Sequence, residues 1–175
     1  MEVERRELPG VMVIRPKVHV DGRGFFVETW RQREYEELGI GPFVQDNQSR
    51  SRRGVVRGIH FQRRYPQGKL VHVARGRILD VVVELRRQAP WAGQVVAVEL
   101  GEGEQIWVPA GYGHAFCVLS EEADVLYRCT DVWHPEDAGG VRWDDPELGI
   151  RWPVEGVIVS EADRALPLWR DVRVG

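Results

Sequence analysis

The chain has 175 residues, 43% hydrophobic and 29% charged, which is the composition of one ordinary soluble globular domain. The net charge of −3 argues against a general affinity for nucleic acid, and no apolar run reaches the length of about 18 residues that spans a membrane. The first residues lack the apolar segment of a secretion signal, so we expect a cytoplasmic protein in which Cys117 and Cys129 are free, buried thiols.

The N-terminal part predicts short strands and one helix. An apolar run at 11–14 and the segment 24–29, which follows an Asp-Gly-Arg-Gly turn, are typical of strands. Residues 30–38 (WRQREYEEL) predict a short helix, because Tyr35 and a leucine share one face and Gly39 follows as a stop signal.

The middle of the chain predicts a series of evenly spaced strands. Polar and apolar residues alternate in many of them, and glycine marks the turns. The predicted strands lie near 43–47, 55–62, 69–75, 77–85, 94–100, 104–108, 114–119 and 123–130. This pattern is typical of a β-sandwich or barrel, here with its core at about 43–130 of a single domain, 1–175. From about 141 the chain is richer in proline and tryptophan, which predicts turns and short helices that wrap the barrel.

Two stretches resemble the paired motifs of the cupin superfamily, whose fold is a double-stranded β-helix (jelly-roll barrel). The second stretch, 103–114, reads G-x5-P-x-G-x2-H. The first has Gly54, five residues and His60, but Gln62 replaces the second histidine and Lys69 replaces the glutamate. The positions that hold the metal in metal-binding cupins are here His60, Gln62, Lys69 and His114. Because an ammonium has no lone pair and repels a cation, the sequence predicts a site without a metal.

Over nearly its whole length the sequence resembles the dTDP-4-dehydrorhamnose 3,5-epimerases. The matching segments are 21–28 (DGRGFFVE), 43–51 (FVQDNQSRS), 54–62 (GVVRGIHFQ), 67–71 (QGKLV), 108–116 (VPAGYGHAF), 126–128 (LYR), 143–146 (WDDP) and 160–163 (SEAD). Each segment alone is weakly specific, whereas all of them in this order are strongly specific. The resemblance implies proton abstraction next to the ketone of a dTDP-linked 4-keto-6-deoxyhexose, at C5 and C3, and reprotonation on the opposite face. The product would serve cell-surface polysaccharide synthesis.

The resemblance also implies roles for individual residues. His60 matches the base, and the Asp163 carboxylate would orient its imidazole and stabilise the imidazolium. Tyr127 matches the proton donor, and the Lys69 ammonium matches the group that stabilises the enolate.

The resemblance implies substrate contacts as well. Arg23 and Arg57 match contacts to the diphosphate, and Glu28, Gln45 and Asn47, with Asp46 between the last two, match contacts to the base and the sugar. His114 and Phe25 match further contacts. Phe25 packs either against the thymine or in the core. In the family the Arg23 and Phe25 region reaches a neighbouring subunit, so a homodimer is implied. No cofactor is expected.

Several positions depart from the family. Where the family has a glutamate and a lysine that contact the substrate, this sequence has Ala138 and Ala162. Where the family often has two aromatic residues after the strand of the tyrosine, this sequence has Val132 and Trp133. Three alternatives therefore stay open: an epimerase acting only at C3, a metal-dependent cupin oxygenase or isomerase, and a sugar-binding barrel without activity. The replaced ligands argue against the oxygenase, and the candidate base, aspartate and tyrosine argue against the passive barrel.

Overall fold

The computed structural model describes residues 1–174, and in that part of the chain the strands form two large sheets and one hairpin. The strands are β1 Glu2–Arg5, β2 Met12–Arg15, β3 Val18–Asp21, β4 Gly24–Val27, β5 Gln45–Arg52, β6 Val56–Gln62, β7 Lys69–Arg75, β8 Arg77–Val83, β9 Val95–Gly101, β10 Gln105–Val108, β11 Gly113–Val118, β12 Glu122–Cys129 and β13 Ala138–Gly140. The helices are α1 Gln32–Glu36 and α2 Glu161–Arg164, with a 3-10 turn at Trp169–Asp171.

The two large sheets have interleaved strand orders. One sheet runs β1-β2-β10-β7-β12-β5 and the other β13-β6-β11-β8-β9, and the named strand pairs within both are antiparallel. Strands that follow one another in the sequence, such as β5 and β6, lie in different sheets. Such crossovers between two sheets are typical of a jelly roll. The mainly β, cupin-type barrel predicted from the sequence is therefore confirmed.

Three apolar clusters hold these layers together. The first contains residues of both sheets, including Val71, Val125, Val82 and Phe116, and so lies between the sheets. The second lies on the outer face of the five-stranded sheet, which the segment 141–174 covers. Alternating strand residues supply both clusters, because successive side chains of a strand point to opposite faces.

The third cluster lies under helix α1, on the outer face of the six-stranded sheet. The helix is shorter than the predicted 30–38, and its first capping position, Arg31, supplies no side-chain hydrogen bond. Tyr35 is buried in this cluster, and Gly39 ends the helical segment with φ +79°. The main-chain amide of Gly39 donates to the carbonyl of Glu36 at 2.9 Å. Glycine suits this left-handed position because it has no Cβ.

The strand prediction was wrong in four places. Strands β1, β3 and β13 were not predicted, and β5 continues to Arg52 rather than ending at 47. Every residue of β1 and β3 is exposed, so these strands show no buried apolar face. Strand β13 is Ala-Gly-Gly and exists through its pairing with β6. Beyond position 47, strand β5 is made of polar residues only, so hydrophobic alternation could not reveal it.

The β3–β4 hairpin pairs with no other strand in residues 1–174. Four large apolar side chains on it are exposed: Val18, Val20, Phe25 and Phe26. A surface of this kind on a small hairpin is a feature of protein interfaces. Separately, no helix within 1–174 has the length and apolar character needed to cross a membrane.

Candidate active site

A cavity with two adjoining lobes lies inside the barrel. The first lobe has a volume of about 590 Å³ and the second about 420 Å³. Both lobes are lined by His60, Lys69, Tyr127 and Asp163. These are the four residues that the sequence predicts as catalytic, and they come from β6, β7, β12 and α2. The fold therefore brings all four to the junction of the two lobes.

His60 and Asp163 form a close pair at this junction. The Nε2 atom of His60 lies 2.6 Å from the Oδ1 atom of Asp163. The main-chain amide of Gly58 donates to Oδ2 of the same carboxylate at 3.3 Å, and the hydroxyl of Ser160 caps α2 by accepting from the Asp163 amide at 3.0 Å. Burial by itself raises the pKa of Asp163, but the hydrogen bond and charge of His60 and the Gly58 amide outweigh it and lower that pKa.

Gly58 allows strands β6 and β11 to approach closely behind this pair. Its φ is +110°, and a Cβ built on it would lie 2.5 Å from the carbonyl oxygen of His114. That contact involves main-chain atoms, so no side-chain rotation can relieve it. Any larger residue at position 58 must therefore move one strand relative to the other, together with the amide that binds Asp163.

Lys69 and Tyr127 project into the cavity from neighbouring strands of the six-stranded sheet. In the register of that sheet Lys69 lies opposite Cys129, and Tyr127 lies opposite Asn47 on its other side. Burial lowers the pKa of Lys69, while the charges of Cys129 and Asp80 oppose this shift. Burial raises the pKa of Tyr127, so its phenol stays neutral over the physiological range.

A second histidine–aspartate pair lies beside the first. His114 is opposite His60 in the β11–β6 register, and its Nε2 atom is 2.8 Å from Oδ2 of Asp80. Asp80 is fully buried, and its Oδ1 atom has no hydrogen-bond partner within residues 1–174. The sequence analysis did not identify Asp80 as a site residue. A single carboxylate within the apolar strand β8 was the available signal, because a buried charge needs a partner.

Five further predicted residues lie on β5, β6 or β11. Gln45 and Asn47 line the first lobe, where Nε2 of Gln45 donates to Oδ1 of Asn47 at 3.1 Å. Arg57 and His114 line the second lobe. Asp46, the fifth of these residues and a predicted substrate contact, does not line either lobe. Alternation along β5 turns its side chain to the opposite face, where Oδ1 lies 3.3 Å from Nε of Arg128.

The remaining predicted contacts lie away from the cavity, on the hairpin and just after it. Arg23 is almost fully exposed and pairs with Asp21 at 2.6 Å. Phe25 is exposed rather than in the core, and Glu28 pairs with Arg31 at 2.8 Å. Within one chain, therefore, these residues do not join the other site residues.

A family model described as dTDP-4-dehydrorhamnose 3,5-epimerase matches residues 5–171. The chain belongs to this family. It is 48% identical to the dTDP-4-dehydrorhamnose 3,5-epimerase of Pseudomonas aeruginosa in an alignment of 169 positions that covers 94% of this chain and 93% of that protein.

Solved structures of family members have the same fold. The dTDP-6-deoxy-D-glucose-3,5-epimerase RmlC of Legionella pneumophila, in complex with dTDP-4-keto-L-rhamnose, is 43% identical with a TM-score of 0.94, covering 98% of this chain and 94% of its own. A double mutant of ChmJ, a 3'-monoepimerase from Streptomyces bikiniensis in complex with dTDP, is 31% identical with a TM-score of 0.88, covering 95% and 86%. The fold is therefore common to epimerases of both kinds.

Several cavity residues of this family member were not predicted as site residues. The first lobe is also lined by Gln62, Gln67, Cys129, Trp133, Ala138 and Ala162. Trp133 is exposed at the mouth of this lobe. Ala138 and Ala162, which stand where the family has a glutamate and a lysine, therefore both lie in this lobe. In the part of the chain that the structure describes, no three His, Cys, Asp or Glu residues are grouped as metal ligands would be.

Proposed function

We propose that this chain converts dTDP-4-dehydro-6-deoxy-D-glucose to dTDP-4-dehydro-L-rhamnose by epimerisation at C3 and C5. Family membership and the likeness to an RmlC structure that holds dTDP-4-keto-L-rhamnose support the reaction. The observation that carries the proposal is the His60–Asp163 pair at 2.6 Å, in one cavity with Lys69 and Tyr127. Proton transfer next to a ketone requires a base, a carboxylate that orients it, a cation for the enolate oxygen and a proton donor such as a phenol.

His60 acts as the base in this mechanism. With Nε2 directed at Asp163, the hydrogen bond favours the tautomer that carries its proton on Nε2 and leaves Nδ1 free to accept one. Nδ1 takes the proton from the carbon next to the ketone, and the electron pair of the C–H bond moves into the enolate. The low pKa of Asp163 keeps its carboxylate ionised, which stabilises the imidazolium as it forms.

Lys69 and Tyr127 complete each epimerisation. The Lys69 ammonium stabilises the negative charge that develops on the ketone oxygen, an effect that is strong in a site with little water. The neutral phenol of Tyr127 then donates its proton to the carbon from the opposite face, and the enolate electron pair forms the new C–H bond. His60 releases its proton and Tyr127 regains one before the second carbon reacts, so each step conserves protons.

The two lobes divide the substrate contacts. Arg57, in the second lobe, binds diphosphate oxygens, to which an arginine can donate in a bidentate manner, and His114 in the same lobe is a further substrate contact. Gln45 and Asn47, in the first lobe, bind the nucleoside and sugar.

A homodimer completes the site. In this proposal the β3–β4 hairpin of one copy carries Arg23 and Phe25, and with them Glu28 just after it, to the cavity of another. The exposed apolar side chains of the hairpin and its isolation from both large sheets support this role. Analytical ultracentrifugation tests it: Phe25→Ser is expected to shift the protein towards monomer and to raise KM. A wild-type protein that is monomeric at assay concentrations would contradict it.

The whole of 1–175 acts as one epimerase domain without a cofactor, and it does so in the cytoplasm. The free, buried thiols of Cys117 and Cys129 suit a reducing compartment.

Proton exchange tests the reaction directly. The protein is incubated with dTDP-4-dehydro-6-deoxy-D-glucose in deuterium oxide, and the C3 and C5 protons are followed by NMR with His60→Ala as control. We expect exchange at both carbons that the variant loses. Exchange at C3 alone would instead assign a 3'-monoepimerase, a reading that the shared fold and the alanines at 138 and 162 also permit. Binding without exchange would refute the enzymatic assignment for this substrate.

A further inference from the structure

Gln62 is a buried amide beside the cavity that joins the main chains of two loops. It ends strand β6 and is 6% exposed. Its Nε2 atom donates to the carbonyl of Tyr65 at 2.6 Å and to that of Val132 at 3.2 Å. Its Oε1 atom accepts from the main-chain amide of His134 at 2.7 Å. One side chain thus links 63–68 with 130–137.

These two loops, which we call the cavity rim (63–68 and 130–137), are also linked elsewhere. The ring of Tyr65 stacks on that of His134, with centroids 4.4 Å apart. At the other end of the rim the amide of Gly68 donates to the hydroxyl of Thr130 at 2.8 Å. The hydrogen bonds of Gln62 hold residues 132–134, the part of the rim that includes Trp133, whereas the hydrogen bond to Thr130 does not.

The position of Trp133 in turn orients polar groups in the first lobe. Its main-chain amide donates to Oε1 of Gln45 at 2.9 Å. With its oxygen held in this way, Gln45 directs its Nε2 atom at Oδ1 of Asn47, 3.1 Å away. Trp133, Gln45 and Asn47 all line the first lobe. A displaced rim would therefore change both the aromatic surface and the direction of two amides that face the ligand.

We propose that Gln62 is a positioning residue for the nucleoside end of the substrate. It acts through Trp133 and Gln45, because both N–H groups of its own amide are already used by main-chain carbonyls. It has no part in moving protons at the sugar. This inference rests on the proposed function, which places the nucleoside in the first lobe.

The test replaces Gln62 by methionine, which keeps most of the side-chain volume and removes all three hydrogen bonds. The control is Thr130→Val, which removes one of the other side-chain bonds between the same loops, the one that the Gly68 amide donates, at similar volume. Binding of dTDP alone is measured by calorimetry, and kcat and KM are measured with the sugar nucleotide. We expect Gln62→Met to weaken dTDP binding and raise KM about tenfold, with kcat within about twofold, and Thr130→Val to leave all three unchanged.

The outcomes separate this inference from the proposed function. If Gln62→Met binds dTDP as tightly as wild type, or if it lowers kcat with binding intact, the inference is wrong and the epimerase assignment stands. Equal weakening in Gln62→Met and Thr130→Val would also refute it, by showing general loosening of the rim. If wild type binds dTDP without epimerising the sugar, the reaction is wrong while the role of Gln62 can still be read from binding. A wild type that binds no dTDP would overturn both.

Discussion

The two histidine–aspartate pairs lie side by side, yet they differ in how exposed the histidine is and in which element supplies the aspartate. His60 and His114 face each other across β6 and β11, with nitrogen–oxygen distances of 2.6 and 2.8 Å to their carboxylates. The side chain of His60 is 47% exposed, whereas that of His114 is 10% exposed. Asp163 comes from helix α2 after the barrel, and Asp80 comes from barrel strand β8.

This difference shows that residue type alone does not assign a role. A histidine that is half open to a cavity can exchange a proton with a ligand, and a carboxylate behind it tunes that exchange. An enclosed histidine chiefly satisfies the buried carboxylate next to it, whose desolvation would otherwise be costly. We therefore expect the first pair to govern catalysis and the second to govern stability and the shape of the site.

The largest expected effect is on turnover. His60→Asn should lower kcat about 10³-fold, because it removes the general base. His114→Asn should lower kcat no more than about tenfold and act mainly on KM, because it removes one contact in the second lobe. Steady-state kinetics of both variants measure this contrast. Equal losses of kcat would mean that both pairs transfer protons.

For the free energy of unfolding, we expect the substitution of His114 to have a larger effect than the substitution of His60. His114→Asn takes the imidazole hydrogen-bond partner away from the buried Asp80 carboxylate and should lower the free energy of unfolding by about 2 kcal/mol. His60→Asn changes a partly exposed pair and should cost less than about 1 kcal/mol. Denaturant unfolding measures both values. The double variant His114→Asn with Asp80→Asn is the control, and it should recover part of the loss; a further loss would contradict the explanation.

A moderate effect is expected at Gly58, which lies between the two pairs. Gly58→Ala should lower the free energy of unfolding by about 2 kcal/mol, because φ is +110° and the new Cβ meets the His114 carbonyl. It should also lower kcat by displacing the amide that binds Asp163. Gly101→Ala is the control, since its Cβ would meet only a side-chain atom at 3.6 Å. Thermal unfolding and turnover of the two variants test this, and equal behaviour would contradict it.

The smallest effect is the pH dependence of the catalytic pair. The pKa of Asp163 is lower in the folded protein than its ordinary value, so its ionised form stabilises the fold above that ordinary value, about 3.9. This contribution is lost as pH falls through the folded-state pKa. The difference in unfolding free energy between wild type and Asp163→Asn should therefore shrink on going from pH 7 to about pH 3. A constant difference would show that the carboxylate charge is not involved.

Local motifs carried much of the prediction. His60, Lys69, Tyr127 and Asp163 were each found because they lie in a segment that matches the family, and they meet in one cavity. The helix was found from two apolar residues and a glycine stop. The motif did not show on which face of β5 Asp46 lies: Gln45 and Asn47 line the cavity, whereas the Asp46 side chain points to the opposite face of the strand.

Other residues carried no local signal. Gln62 ends a segment that matches the family and stands where a metal ligand would be, but neither fact points to its three bonds, which join loops about seventy residues apart in the chain. Strand β13 contains two glycines and forms because β6 lies beside it. Such features depend on contacts between distant segments, which periodicity and spacing cannot encode.

By itself the sequence determined the mainly β architecture, the family and the four residues proposed for catalysis. Alternation of apolar residues and turn glycines express the preferences of single strands, and motifs express the chemistry of single side chains. Only the tertiary structure decided which histidine is open, which carboxylate each histidine meets, and which polar groups face the cavity. Access and pairing depend on how strands and loops remote in sequence pack against one another, and burial then decides whether an ionisable group acts on a ligand or stabilises the fold.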